Sequence, residues 1–273
     1  MIGVIGAGSL GVRLGAQLMS SGYSVALKSR QGWIKEPVAY QYAAVLEQLQ
    51  FEIPQNMSEL DLIFVTVKCY QLPEVLSELE SGQTAIILSN GFYDRLLAGL
   101  SIKAIIIKAA STLAAYTQED IVYRADVRGE LSVEEGVWSE TFRNLAQAEE
   151  SWIHKADDMQ RQKKWVLNCS LNTLCGFKSL LTNGLAKNHL TELRGLFDES
   201  LALSEQLFES RIKDREVVWS WLLKTIDLTS NNRNSLMSDL LYRRRTEADF
   251  LSGMANEQFP LLHAAHSKIV NAE

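Results

Sequence analysis

Apolar residues in the first half of the chain form short continuous runs that alternate with stretches of helical spacing. Continuous runs of this length and β-branched content are typical of buried strands, while apolar residues three or four apart indicate amphipathic helices. The runs that predict parallel strands lie at residues 2–5, 24–27, 62–67, 85–88 and 103–108. This alternation of strands and helices favours an α/β fold with a doubly wound, parallel sheet.

The pattern changes in the second half of the chain. Residues 120–135 contain short alternating pieces that predict antiparallel closing strands, and residues 142–148 predict the last helix of the first domain. Beyond about residue 155 the strand signals fade and helical periodicity continues. We therefore expect two domains, 1–155 with the sheet and 156–273 built from helices alone.

Composition narrows the class of protein. The 273 residues carry a net charge of −6 and are 47% hydrophobic, so a globular fold is expected and no basic surface suggests a nucleic acid or a membrane as partner. The three cysteines form no CxxC motif and the four histidines show no ligand spacing, so no metal site is predicted. The chain also begins directly with a strand pattern and no signal peptide, which favours a reducing cytoplasm.

A glycine-rich turn joins the first strand to the first helix. In G-x-G-x-x-G, Gly6 permits the tight turn, Gly8 lets backbone amides approach a diphosphate, and Gly11 lets the helix pack closely on the strand. Because a helix N-terminus favours negative charge, the turn predicts a dinucleotide site. Its residues are Gly6, Ala7, Gly8, Ser9, Leu10 and Gly11.

Polar residues follow the predicted strands at the edge where ligands of such sheets bind. Lys28 and Arg30 come after the second strand with no acid before Glu36, which suits the 2′-phosphate of NADP, although both could simply be solvated charges. Lys68 and Gln71 follow the strand at 62–67 and are candidate cofactor contacts. Asn90, after the strand at 85–88, is either part of an ordinary Asn-Gly turn or a contact to the nicotinamide ribose.

A second candidate site lies in the helical half. Lys164, Asn168 and Asn172 follow one another at four-residue steps, which places them on one line about 12 Å long on a helix. Apolar residues run beside this line, and buried polar groups need partners. The residues alone leave two interpretations open, a satisfied polar network in the core or one wall of a ligand pocket.

Near the end of the chain, the carboxylate residue Glu247 falls on the apolar face of a predicted helix. Asn234 or Ser235 is a natural N-cap, and the pattern that follows predicts one helix with Glu247 on the same face as Leu240 and Leu251. A carboxylate facing the core has a raised pKa unless it is paired, and a lysine is the expected partner. The alternative is an exposed salt bridge to Arg243.

Four stretches together resemble the ketopantoate reductase (2-dehydropantoate 2-reductase) family. They are G-A-G-S-L-G at 6–11, V-K-C-Y-Q at 67–71 with N-G at 90–91, K-W-V-L-N-C-S-L-N-T-L at 164–174, and N-S-L-M-S-D-L-L-Y-R-R-R-T-E-A-D at 234–249. The last two are specific, since a generic dinucleotide-binding domain does not have them. The resemblance implies a Rossmann domain followed by an all-helical domain like that of 6-phosphogluconate dehydrogenase.

The resemblance also implies a role for each matching residue. Lys164 resembles the general acid of the family, Glu247 the acid that supports it, and Ser235 the contact to the substrate carboxylate. Asn168 and Asn172 resemble the contacts to the substrate hydroxyl. At the cofactor, Lys68 and Asn90 resemble residues at the nicotinamide end, and Arg30 resembles the binder of the 2′-phosphate.

The chain departs from the family at two places. Residues 109–115 replace a glycine-containing turn that borders the substrate, and the basic run at 243–245 has no mechanistic explanation. The expected activity is NADPH-dependent reduction of a 2-keto acid, with ketopantoate converted to pantoate for pantothenate biosynthesis. The rival hypotheses are a reductase of another keto acid and an NADP-binding sensor without activity. The expected assembly is a monomer or a homodimer.

Overall fold

The computed structural model describes residues 1–125, 129–134, 140–147, 152–156 and 159–272. The chain divides into two compact units. The sheet unit comprises Met1–Ser89 and Gly99–Asp158, and the helical unit comprises Asn90–Ala98 and Met159–Glu273. The short segment Asn90–Ala98 thus belongs with the C-terminal part of the chain, although no boundary near it is predicted from the sequence.

The strands all lie in the sheet unit as far as the described residues extend. They are β1 Ile2–Ile5, β2 Val25–Ser29, β3 Gly32–Trp33, β4 Val38–Tyr42, β5 Val45–Leu49, β6 Leu62–Val65, β7 Thr84–Ile87, β8 Ile105–Ser111, β9 Ala115–Gln118, β10 Ile121–Arg124, β11 Leu131–Val133 and β12 Ile153–Lys155. The helices of both units are α1 Ser9–Ser20, α2 Leu72–Ser77, α3 Asp94–Ala98, α4 Glu140–Gln147, α5 Gln160–Lys178, α6 Leu190–Leu207, α7 Arg215–Leu228, α8 Ser235–Leu241 and α9 Pro260–Val270.

Within the described part of the chain, the main sheet has eight strands in the order β12-β11-β8-β7-β6-β1-β2-β3. Its centre, from β8 to β2, is parallel, which confirms the predicted Rossmann-type sheet. Every residue of β1, β6 and β7 is buried, as expected for strands covered on both faces. The carboxyl ends of these parallel strands therefore lie at one edge, where the glycine-rich turn follows β1.

The structure differs from the sequence-based prediction in one additional sheet and in the boundaries of several elements. A second sheet, β5-β4-β10-β9, was not predicted, and β10 belongs to it instead of closing the main sheet. The strand predicted at 103–108 continues to Ser111, so Ala109 and Ala110 pair with β11 and lie outside any loop. The predicted helix at 142–148 is α4, and its last predicted residue lies outside the described residues.

The helical unit is organised around α5, which contacts α6, α8 and α9. Because α5 has neighbours on several sides, most of its residues are buried, including Trp165, Val166, Cys169 and Leu174. This confirms the predicted helical domain. No helix within the described ranges combines the length and apolar character needed to cross a membrane.

An arginine is buried in the sheet unit beneath the second sheet. Arg13 of α1 has no exposed surface; its Nη1 donates a hydrogen bond to the carbonyl oxygen of Ala114 at 3.3 Å, and its guanidinium also interacts with the side chain of Tyr40. Its Nε and Nη2 have no hydrogen-bond partner among the described residues. Burial, and then the charge of Arg124, lower the pKa of Arg13. The guanidinium therefore loses hydration that the fold replaces only in part.

We expect Arg13→Met to raise the free energy of unfolding by about 1 kcal/mol or more, since an apolar side chain of similar length fills the site without a desolvated charge. Chemical denaturation of the two proteins measures the difference. Arg13→Ala is the control, because it removes the packing along with the charge and should destabilise the protein. If the Arg13→Met protein is clearly less stable than wild type, the contacts of the guanidinium in the fold fully replace its lost hydration.

Candidate functional site

The glycine-rich turn has the tight geometry that the motif predicts. Gly6 has φ of +120°, a conformation that L side chains rarely adopt, and a Cβ at this position would lie 2.5 Å from Oγ1 of Thr66. A Cβ at Gly11 would lie 1.8 Å from the carbonyl oxygen of Gly6. The first turn of α1 thus rests directly on the end of β1, and only glycine at both positions permits the contact.

Gly8 and Ser9 occupy the start of α1. Gly8 is the exposed N-cap residue and offers no side chain to the first turn of the helix. Apart from its neighbours along the chain, no atom of the described residues would lie within 4 Å of a Cβ added to Gly8. Ser9 shares a hydrogen bond with Thr117 of β9, with 2.7 Å between the hydroxyl oxygens. An open glycine before uncapped amides suits an anion, so the residues fit the diphosphate of a dinucleotide. Their assignment as cofactor contacts remains a prediction.

The two basic residues at the end of β2 are in different environments, and Lys28 lies within the strand itself because β2 extends beyond the predicted 24–27. Lys28 forms an ion pair with Glu78, and its ammonium lies 5.9 Å from the centroid of the Trp33 ring. Arg30 directly follows β2 and is exposed, with no ion pair to any residue that the structure describes. Arg30 is therefore the better placed of the two to meet a phosphate.

Lys68 and Gln71 lie in one turn beyond β6. The strand ends at Val65, two residues earlier than predicted, and a 3-10 helix forms at Cys69–Gln71. The backbone N–H of Lys68 donates to Oε1 of Gln71 at 3.2 Å, and the backbone N–H of Gln71 donates to the carbonyl oxygen of Lys68 at 2.9 Å. Both residues are half-buried, so the turn holds them in place at the carboxyl end of the strand.

The predicted line of polar residues is present on α5. Lys164 and Asn168 are half-buried as whole residues, although the ammonium of Lys164 is withdrawn from solvent, and Asn172 is only 5% exposed. Nδ2 of Asn168 donates to Oδ1 of Asn90 at 3.3 Å. Asn90, predicted as a contact at the cofactor edge, is therefore part of the helical unit and lies beside the candidate substrate contacts.

Lys164 and Glu247 influence each other electrostatically. Burial lowers the pKa of Lys164 to about 8, and the negative charge of Glu247 opposes this change. Glu247 is itself only 5% exposed, which agrees with the predicted position of its carboxylate in the core. A buried ammonium with this pKa is partly deprotonated near neutral pH, so it can both hold and release a proton.

The secondary structure around Glu247 differs from the prediction. Helix α8 ends at Leu241, and Glu247 directly precedes a separate 3-10 helix, Ala248–Phe250, so the expected continuous helix was wrong. Asn234 is the N-cap of α8, since its Oδ1 accepts from the backbone N–H of Met237 at 2.9 Å. Ser235, the first residue of α8, is exposed, and its assignment to the substrate carboxylate remains a prediction.

Two aromatic residues connected to the segments of Lys164 and Glu247 were not predicted as site residues. Trp165 directly follows Lys164, and Phe92 lies in the segment Asn90–Ala98. Both donate hydrogen bonds to the carbonyl oxygen of Phe250, in the turn that begins with Glu247. The sequence carries no signal for this arrangement, because the acceptor is a backbone group.

Sequence comparisons match nearly the whole chain. A family profile described as "Ketopantoate reductase PanE/ApbA" matches residues 2–136, and one described as "Ketopantoate reductase PanE/ApbA C terminal" matches residues 158–257. The 2-dehydropantoate 2-reductase of Archaeoglobus fulgidus is 23% identical over an alignment of 291 residues, which covers 98% of this chain and 95% of that enzyme.

Solved structures share the fold at low sequence identity. A dimeric ketopantoate reductase from Staphylococcus aureus superposes with a TM-score of 0.83 at 16% identity and covers 99% of this chain and 98% of its own. A D-mandelate dehydrogenase in a ternary complex with NADH and anilino(oxo)acetate also gives 0.83, at 19% identity, with 100% and 98% covered. At these identities the likeness establishes the fold alone.

The contrast between Gly8 and Gly11 generates a test of the dinucleotide site. Gly8→Ala should leave the melting temperature unchanged, because the new methyl group has open space among the residues that the structure describes, but should weaken NADPH binding about tenfold or more, equivalent to about 1.4 kcal/mol. Gly11→Ala should destabilise the fold itself. Calorimetric titration with NADPH and thermal unfolding separate the two effects. Unaltered NADPH affinity of a folded Gly8→Ala protein would refute the site.

Proposed function

Because the chain belongs to the ketopantoate reductase PanE/ApbA family, it is a nicotinamide-dependent oxidoreductase, and we propose that it reduces ketopantoate to pantoate with NADPH. The observation that carries this proposal is the buried ammonium of Lys164 under the influence of the Glu247 carboxylate. Reduction of a keto group needs a cation near the oxygen on which negative charge develops, and a proton to neutralise it.

Lys164 supplies both the cation and the proton in this proposal. Bound NADPH supplies the hydride that reduces the keto carbon. The ammonium of Lys164 donates a hydrogen bond to the keto oxygen, stabilises its growing charge and transfers a proton to it, leaving a neutral amine that solvent reprotonates. Glu247 keeps enough of the amine protonated, since its charge opposes the effect of burial on the pKa.

The remaining polar residues of the helical unit bind the substrate in this proposal. Asn168 and Asn172 lie along α5 on the same line as Lys164, so their amides would contact the substrate hydroxyl while the ammonium contacts the keto oxygen. Ser235 would bind the carboxylate. Asn90 is hydrogen-bonded to Asn168, which supports a shared role at the substrate as well as its predicted role at the nicotinamide end.

The identity of the keto acid is the finer part of the proposal. Residues 109–115 depart from the glycine-containing turn of the family, and Ala109–Ser111 are built into β8. The D-mandelate dehydrogenase structure, which contains anilino(oxo)acetate, has the same fold. A reductase of another 2-keto acid is therefore the second candidate. Rates of NADPH oxidation over a panel of 2-keto acids, compared as kcat/KM, distinguish the two.

We also propose NADP as the physiological cofactor and a homodimer as the assembly. Arg30, exposed after β2, supports the first point, since arginine suits the 2′-phosphate of NADP. The dimeric enzyme of Staphylococcus aureus supports the second. A monomer was the other predicted assembly, and sedimentation analysis of the purified protein separates the two.

Lys164→Ala should lower kcat for ketopantoate reduction by about a hundredfold or more, the usual effect of losing a general acid. Lys163→Ala, on the adjacent residue of the same helix, is the matched control and should keep near-normal turnover. Steady-state NADPH oxidation measures both. Near-normal turnover of Lys164→Ala would contradict the proposed role.

The pKa of Lys164 predicts how the rate depends on pH. Reduction needs the protonated amine, so kcat should be constant at low pH and fall as pH rises above about 8. Glu247→Gln removes the charge that raises this pKa, so the fall should begin at lower pH. A profile of kcat against pH from 6 to 10 measures it, and a wild-type enzyme whose kcat does not decline in that range would argue against Lys164.

Arg30→Ala should raise KM for NADPH about tenfold or more and leave KM for NADH nearly unchanged, because only NADPH has the phosphate that the guanidinium would bind. Lys35→Ala, another exposed basic residue nearby in the sequence, is the control. An equal increase in KM for NADPH and for NADH would show that Arg30 does not bind the 2′-phosphate.

A further inference from the structure

The backbone carbonyl oxygen of Phe250 accepts hydrogen bonds from two separate segments. Nε1 of Trp165 in α5 donates to it at 3.0 Å, and the backbone N–H of Phe92 donates to it at 2.9 Å. The backbone N–H of Phe250 in turn donates to the carbonyl oxygen of Glu247 at 3.0 Å. One oxygen thus connects the turn that begins at Glu247 with α5 and with the segment that contains Asn90.

Trp165 is well placed to hold this turn in position relative to Lys164. It is the next residue along α5, so the backbone that carries the indole also carries the ammonium. Trp165 is only 2% exposed, and its ring contacts Phe208 edge-on, with 6.3 Å between ring centroids. Since a buried indole N–H needs an acceptor, the bond to the Phe250 carbonyl is the one that satisfies it.

The residues on either side of Glu247 also make contacts that hold the turn. Ala248 is buried in a small apolar cluster with Leu236 of α8 and Ile269 of α9. The backbone N–H of Ala248 also donates to Oγ1 of Thr246 at 3.1 Å. These contacts hold the turn against α8 and α9, while the hydrogen bond of Trp165 links it to the helix that carries Lys164.

We propose that Trp165 is a positioning residue, whose indole N–H holds the turn of Glu247 at a fixed place beside Lys164 through the Phe250 carbonyl. This inference rests on the proposed function of Lys164 as the proton donor. The attraction between two charges weakens with their separation, so a displaced turn reduces the effect of Glu247 on the ammonium. The amine then loses protons at lower pH than in the wild-type enzyme.

A purely structural role of Trp165 has a different consequence. Loss of core packing lowers the stability of the protein and the amount of active enzyme, but it leaves the pH at which the remaining enzyme loses activity unchanged. The pH dependence of kcat therefore separates positioning from packing, provided that the ring itself is kept.

Trp165→Phe removes the N–H donor and keeps an aromatic ring. We expect kcat to fall about threefold to tenfold, the range for loss of one hydrogen bond, with little change in KM. The decline of kcat at high pH should shift to lower pH by about half a unit. Trp219→Phe is the matched control, because Trp219 lies in the same unit and its ring packs against that of Phe197, with 5.1 Å between the ring centroids.

A folded Trp165→Phe enzyme with the wild-type pH profile would overturn the proposal. Should that variant not fold, Thr246→Val tests the same turn from its other end by removing the hydroxyl that accepts from Ala248. It should shift the profile in the same direction, and a wild-type profile there would also overturn the proposal. The proposed function of Lys164 is tested separately. If it is wrong, Lys164→Ala keeps its activity, whatever the pH profile of Trp165→Phe.

Discussion

Burial costs the ammonium of Lys164 part of its hydration, and the carboxylate of Glu247 offsets part of that loss. Burial alone favours the neutral amine, and the nearby negative charge favours the protonated form, so the pKa settles at about 8. Such a group holds a proton at neutral pH and releases it readily. The chemistry proposed for the family's substrate depends on this balance, and so does the stability of a charged pair in an apolar core.

Hydrogen bonds to a backbone carbonyl hold the segments that carry Glu247 and Lys164 together. Glu247 lies before a 3-10 turn whose Phe250 carbonyl accepts from Trp165 and Phe92, so three segments meet at one acceptor. The bond between Asn168 and Asn90 joins two of the same segments again. In the sheet unit the comparable constraint is purely steric, since the close contact of Gly6 and Gly11 sets where α1 begins.

Strong periodic signals allowed much of this to be predicted from the sequence. The buried strands, the glycine-rich turn and the line of Lys164 on α5 follow from local pattern. The second sheet was missed because β5 is almost entirely exposed and shows no alternation. The end of α8 was missed because no glycine or proline precedes Glu247 there, and the chain turns instead at Arg243, which has φ of +50°. The placement of Asn90 depends on long-range packing that no local pattern records.

Direct titration of the lysine side chains by NMR, with ¹³C at Cε, tests the central claim without relying on turnover. The account predicts one resonance that titrates near pH 8, disappears in Lys164→Met and moves to lower pH in Glu247→Gln. A Lys164 resonance that titrates at the ordinary value for a lysine in water, about 10.4, or that is unaffected by Glu247→Gln, would contradict it.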